Sequence, residues 1–336
     1  MVGEENIWIN LSAIAALLGI TAYALLGGAD FGGGVWDLLA SGPRKQAQRL
    51  AIQKAMGPVW EANHVWLILV IVILFTCFPA GYSAMVIAFF VPLHLALLGI
   101  MLRGASFVFR SHQGHSDGTS QASAWGVVFG TASIISPLLL GATFGVVTKG
   151  EVLVGETIQG TLGSAATWLS PYCICNGLLA LSTCAFLAAV YLTNETKDEL
   201  RDDFRRRAIW AGTTTAALAG ITVFIGWHEA PWFMRQLLGS WRLPIVLAGL
   251  ACFAGSAWSV FTRRARLSRV FAIGQIALLL LGWGCAQYPY LVYPHISLAE
   301  SAAPLATLRF LVLSLPIGGA MIAPSLWLLL RVFKTR

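Results

Sequence analysis

Apolar runs of membrane-crossing length recur from one end of the chain to the other, separated by short polar connections. A bilayer core takes roughly 20 apolar residues of helix. On that measure the pattern predicts nine helical spans: Trp8–Ala40, Trp60–Phe78, Tyr82–Leu102, Ala122–Val147, Trp168–Leu192, Ile209–Trp227, Leu243–Phe261, Val270–Gln287 and Leu308–Leu330. No polar stretch is long enough to form a separate soluble domain. The pattern predicts an all-α polytopic membrane protein, with residues 1–336 as a single transmembrane domain. Met1 to Asn6 carry Glu4 and Glu5 and no basic residue, so the first run reads as a retained helix rather than a secretory signal.

The first span is longer than a bilayer needs, because its 33 residues would extend about 50 Å at 1.5 Å per residue. Gly27, Gly28, Gly32, Gly33 and Gly34 leave little side chain on its second half. Such a stretch either admits a neighbouring helix at close range or kinks.

Composition agrees with this pattern: 57% of residues are hydrophobic and 11% are charged, against about 25% charged in a soluble domain. Charge adds direction. Of the 22 basic residues, 18 fall in the connections after the first, third, fifth and seventh spans or in the tail, which places them on one side. The positive-inside rule makes that side cytoplasmic, with the N-terminus outside and the C-terminus inside. These loops account for the net charge of +7 and attract anionic membrane lipids. Nucleic-acid binding needs a continuous basic face on a soluble fold, which this pattern does not provide.

An ionisable group inside hydrocarbon is costly, so each one is a candidate functional residue. Asp30, Asp37 and Glu61 are the acids in or beside a span, and all three fall toward the cytoplasmic side. Glu61 stands in the first turn of the second span, where it complements the positive end of the helix dipole. His64 follows at i+3, near enough to exchange a hydrogen bond with it. A dipole cap and a proton relay therefore both fit Glu61. His64 and His94 lie within spans, as core histidines or as haem ligands. The six cysteines lie in or beside apolar runs and read as small core residues. On residues alone, a proton-coupled secondary transporter is the alternative reading, although no internal repeat is visible.

Three blocks carry a family likeness. Gly28-Ala29-Asp30-Phe31-Gly32-Gly33-Gly34, Gly57-Pro58-Val59-Trp60-Glu61-Ala62-Asn63-His64-Val65-Trp66-Leu67 and Leu98-Gly99-Ile100-Met101-Leu102-Arg103-Gly104 resemble subunit II of cytochrome bd-type quinol oxidases. The run Gly282-Trp283 to Ala286-Gln287-Tyr288-Pro289-Tyr290 is similar to the cyanide-insensitive branch. The resemblance implies two four-helix bundles plus one extra helix, and a chain that holds no cofactor of its own. It implies a haem-bearing subunit I as partner, with two b-type haems and a d-type haem or a substitute, and quinol and dioxygen as substrates of the complex. It leaves open a small third subunit and a structural quinone. The proton path it implies begins at Glu61, with Asn63 beside it; His64 and Asp30 are the further polar groups, Asp30 either as part of that path or as a structural group at the glycine-rich contact. The sequence departs from the family pattern at Gly27, where many members carry Asp, and at Glu61 and His64, where Asp and Glu are common.

Overall fold

The computed structural model describes residues 2–56, 60–112, 120–150 and 168–334. Its helices are α1 (Val2–Leu38), α2 (Lys45–Met56), α3 (Trp60–Cys77), α4 (Pro79–Ala88), α5 (Phe90–His112) and α6 (Ser120–Lys149). They continue as α7 (Pro171–Glu195), α8 (Asp198–Glu229), α9 (Pro231–Leu237), α10 (Leu243–Phe261), α11 (Ala265–Gln287) and α12 (Leu305–Lys334). Among the described residues, eight helices are long and apolar enough to cross a membrane, and α3 adds a shorter apolar one. The protein is thus a polytopic all-α membrane protein. A two-stranded antiparallel hairpin, β1 (Tyr290–Val292) and β2 (Ile296–Ser297), lies in the connection between α11 and α12.

The third predicted span requires correction. Tyr82–Leu102 is not one helix but parts of α4 and α5, which meet at Phe89. Pro92 has no N–H to offer the carbonyl of Ala88, and its ring crowds that carbonyl, so the helix cannot run through unbroken. Beyond the break α5 continues to His112. Arg103 and Arg110, predicted to follow the span, therefore lie inside a helix.

Helix α1 packs against α3, α6 and α7, α5 lies on α6, and α6 also meets α7. Helices α8 and α11 pack on α7, and α10 pairs with α11. This groups α1, α3, α5 and α6 on one side of the α1–α7 and α6–α7 contacts and α7, α8, α10 and α11 on the other. Helix α12 touches α1 and α3 and is largely exposed.

The glycine-rich half of α1 is one uninterrupted helix, so close packing decides the alternative left open by the sequence. A Cβ at Gly32 would overlap the backbone carbonyl of Cys184 in α7, and one at Gly34 would overlap the hydroxyl of Ser133 in α6. One turn along, Trp36 Nε1 donates to the Ala185 carbonyl at 2.7 Å. A core of Trp36, Ala185, Phe186, Ala188, Ala189 and Phe204 fills the joint. The six cysteines are free thiols.

Basic residues from separate connections gather at one end of the structure. Arg44 grips Asp203 with Nε at 2.8 Å and Nη2 at 2.7 Å, and Glu199 with Nη1 at 2.7 Å. Hydrogen bonding to Asp203 holds the Arg44 guanidinium above its ordinary value. Gln48 links the same Asp203 to Arg207. Arg205 donates to the carbonyls of Val260 and Phe261, satisfying groups that the end of α10 leaves open. Arg110 pairs with Asp37 at 2.9 and 3.2 Å.

Candidate functional site

Two helices build the polar centre. Asp30 enters it from the glycine-rich half of α1, and Asn63 and His64 enter from the first turns of α3. Gly57, Pro58 and Val59 lie outside the described residues. Asn63 is buried against α1, and its Nδ2 donates to Asp30 Oδ2 at 2.7 Å. Asp30 itself is only 3% exposed.

The third helix to reach this point is α5. Its Arg103 is 2% exposed. Nη2 donates to the backbone carbonyl of Asp30 at 3.0 Å and Nε to Ser133 Oγ at 3.2 Å. The guanidinium lies over the rings of Phe31 and Phe129, at 5.3 and 5.1 Å from their centroids. A buried cation thus stands beside a buried carboxylate, each with hydrogen-bond partners, as burial of charge demands.

His64 sits between aromatic neighbours, with ring centroids 5.9 Å from Tyr23 and 6.0 Å from Phe31. Both its ring nitrogens are buried without a hydrogen-bond partner, and so is Tyr23 Oη. The Glu61–His64 hydrogen bond that their spacing permits is therefore not formed. Glu61 is exposed instead, at the head of a stripe continued by Val65, Ile68, Val72 and Phe75, all exposed and apolar.

The structure therefore joins Asp30 and Asn63 directly, places His64 alongside through Phe31 and Tyr23, and leaves Glu61 on the outer face of α3. Asp37, the third candidate acid, is taken up by Arg110, while its backbone carbonyl receives Arg49 Nε at 3.2 Å. That ties the end of α1 to α2 and α5. Arg103 and Tyr23 were missed by the sequence reading. Arg103 is visible as a charge, but it stands just beyond an apolar run, where the pattern predicts a connection; Tyr23 carries no charge to draw notice.

Among the described residues, no group of three or more His, Cys, Asp and Glu is arranged to hold a metal ion. The two histidines within predicted spans have different surroundings: His94 is exposed and His64 is partly buried. His94 Nδ1 lies 2.6 Å from the Phe90 carbonyl of its own helix, and His64 is wedged between rings. Chemically, its carboxylate and its imidazole are each groups that can hold a proton.

Comparisons with known proteins point one way. The profile of the family described as cytochrome bd terminal oxidase subunit II matches residues 7–333. Over 282 residues the chain is 25% identical to the cytochrome bd ubiquinol oxidase subunit 2 of Bacillus subtilis (strain 168), covering 83% of this chain and 78% of that one. Over 212 residues it is 28% identical to the cytochrome bd-I ubiquinol oxidase subunit 2 of Escherichia coli (strain K12), covering 62% and 55% respectively. In fold it is similar to a chain in the structure of bd oxidase from Geobacillus thermodenitrificans. The TM-score there is 0.78 at 21% identity, over 98% of both chains.

Proposed function

The chain belongs to the cytochrome bd terminal oxidase subunit II family, and on that footing we propose that it is the haem-free subunit of a quinol:dioxygen oxidoreductase, one that conducts protons. In this reading the whole chain acts as one membrane domain in a bacterial cytoplasmic membrane, N-terminus outside and C-terminus cytoplasmic. It assembles with a haem-bearing subunit I, whose haems take electrons from quinol and deliver them to dioxygen. Protons for water formation come from the cytoplasm. The family assignment displaces the transporter alternative.

The buried Asp30–Asn63 pair with Arg103 beside it is the observation that carries the reading. Groups of this kind are expensive within a membrane and stay only where something needs them. Glu61 begins the route at the cytoplasmic end, and Asn63, His64 and Asp30 are its inner members. The exposed stripe from Glu61 to Phe75 is the surface on which subunit I sits, which sets Glu61 at the edge of that interface. Asn63 orients the Asp30 carboxylate through its amide, and Arg103 offsets the charge when the proton has left.

Glu61→Gln, measured in the purified complex, tests the route. We expect quinol oxidation and proton uptake to fall by at least about tenfold, toward the range a positioned proton-transfer group contributes. The haem absorption spectrum should not change. Wild-type turnover and uptake in that variant would refute the relay.

A further inference from the structure

We propose that the junction of α8 with the end of α10 is a headgroup site for one anionic membrane phospholipid. Arg206 and Arg263 hold the phosphate, and the exposed rings of Trp210 and Phe261 lie along the apolar part of the lipid. The site stands apart from the polar centre and does not depend on the proton route.

Arg205 makes the junction. It donates from Nε to the Val260 carbonyl at 2.8 Å and from Nη2 to the Phe261 carbonyl at 3.0 Å, so its guanidinium is already committed to backbone. Asp202 lies 4.0 Å from Arg205 Nη1 and 3.8 Å from Arg263 Nη2. Both separations exceed the roughly 2.7–2.9 Å of a charge-assisted hydrogen bond. Asp202 and Arg206 are four apart on α8 and share a face, which brings Arg206 to the same place. Arg206 is exposed, and no ion pair among the described residues engages it. Glu199 and Asp203 are taken by Arg44. Three guanidinium groups thus gather around one loosely held carboxylate. The excess positive charge suits a phosphate, which a planar guanidinium binds through two parallel hydrogen bonds.

The backbone gives Arg263 its place. Its φ is 61°, the left-handed position just past the end of α10, where glycine is the usual residue. A long cationic side chain stands there against that preference. The apolar half of the site lies on the same two helices. Trp210 follows Arg206 by one turn of α8 and is 74% exposed, and Phe261 at the end of α10 is 59% exposed. Beside them the Arg264 guanidinium lies 4.9 Å from the centroid of the Trp258 ring. Rings at headgroup level with cations just outside are the pattern of a membrane boundary. Exposed Leu247 and Leu250 continue α10 away from the charges. A free anion would use only the guanidinium groups; a phospholipid uses the apolar flank as well.

The test uses the purified complex, stripped of lipid in detergent and then supplied with phosphatidylglycerol, phosphatidylcholine or inorganic phosphate. Bound lipid is counted by native mass spectrometry. The wild type should hold one more phosphatidylglycerol than Arg206→Gln/Arg263→Gln, whose affinity for that molecule should be weaker by about tenfold or more. Lys45→Gln/Lys54→Gln, which removes the same charge from α2, should hold the lipid as the wild type does, and Trp210→Ala should hold it less well with every charge in place. Equal retention by the Arg206/Arg263 variant, an equal loss in the α2 variant, or equal retention of phosphatidylcholine overturns the site. Displacement of the lipid by inorganic phosphate at constant ionic strength would make this a free-anion site and overturn the lipid assignment. If the double variant fails to assemble, Arg206→Gln alone, at an exposed side chain, gives the same comparison. Glu61→Gln should retain the lipid, so the outcome for the proton route is read separately.

Discussion

Gly32→Ala is a sharp probe of how α1 is seated. The added methyl would fall on the Cys184 carbonyl and come within 2.7 Å of the Ala188 Cβ, so α1 and α7 must part to admit it. Parting lengthens the Trp36–Ala185 hydrogen bond, now 2.7 Å, whose loss costs about 0.5–1.5 kcal/mol. Forcing a methylene-sized group into a packed interior costs about 1–3 kcal/mol more. Against this, alanine favours a helix over glycine by about 1 kcal/mol. The net expectation is a destabilisation of about 2 kcal/mol, seen as a fall of several degrees in apparent Tm. The comparison is Gly220→Ala in α8, where a new Cβ meets nothing and only the roughly 0.5–1 kcal/mol helix preference remains. Both variants are heated at one scan rate as purified complexes, since such unfolding is irreversible. An apparent Tm for Gly32→Ala at or above that of Gly220→Ala would refute the close-contact account.

Two further outcomes follow from named contacts. Arg103→Leu removes the cation beside buried Asp30 and should destabilise the subunit by about 3–5 kcal/mol, with Asp30→Asn on the same background recovering part of the loss; a melt no different from that of Arg235→Leu, at the other end of the molecule, would overturn the pairing. Glu300 accepts from Ser297 N at 2.9 Å and Ser297 Oγ at 2.7 Å, which holds its carboxyl below the usual carboxylate range. A depressed value means the contact stabilises fully above the ordinary Glu value and is lost as pH falls through the lower, folded one. Hydrogen exchange at the Ser297 amide should therefore lose protection on acidification in the wild type and show no such step in Glu300→Gln; matching profiles would refute it.

Much of this architecture is legible in the residues because a membrane enforces simple rules. Apolar length marks the crossings, and Arg44, Arg110, Arg205 and Arg207 mark the end where they gather. Asp30 is legible for the same reason, since a carboxylate in an apolar run is conspicuous. What the sequence hides is rotation and register. Helical residues advance about 100° each, which sets Glu61 and His64 on neighbouring bearings but does not say which bearing α1 occupies. In the structure Asn63 takes that position, two residues from Glu61 and so nearly opposite it. The acid is turned outward, and the imidazole is left at the flank. The Phe89 break was hidden because hydropathy is continuous across it, and stopping the span at its first charge put Arg103 in a loop.

The polar centre also resists explanation as a device for stability. Replacing a buried ion pair by apolar side chains of similar volume is often neutral or favourable, so Asp30 and Arg103 are not needed to hold α1, α5 and α6 together. Phe31 and Phe129 already pack there, and the glycine contacts to α6 and α7 set the helix separations. Asp37 and Arg110 show what a structural pair looks like in this fold: direct, two-pronged, and at the end of a helix. Asp30 differs on each count. Arg103 reaches its backbone carbonyl, Asn63 bonds one carboxylate oxygen, and the pair lies deep between three helices beside unpaired phenol and imidazole atoms. A carboxylate held by a neutral amide, with a cation near but not clamped on it, keeps both protonation states within reach, and a clamped ion pair does not.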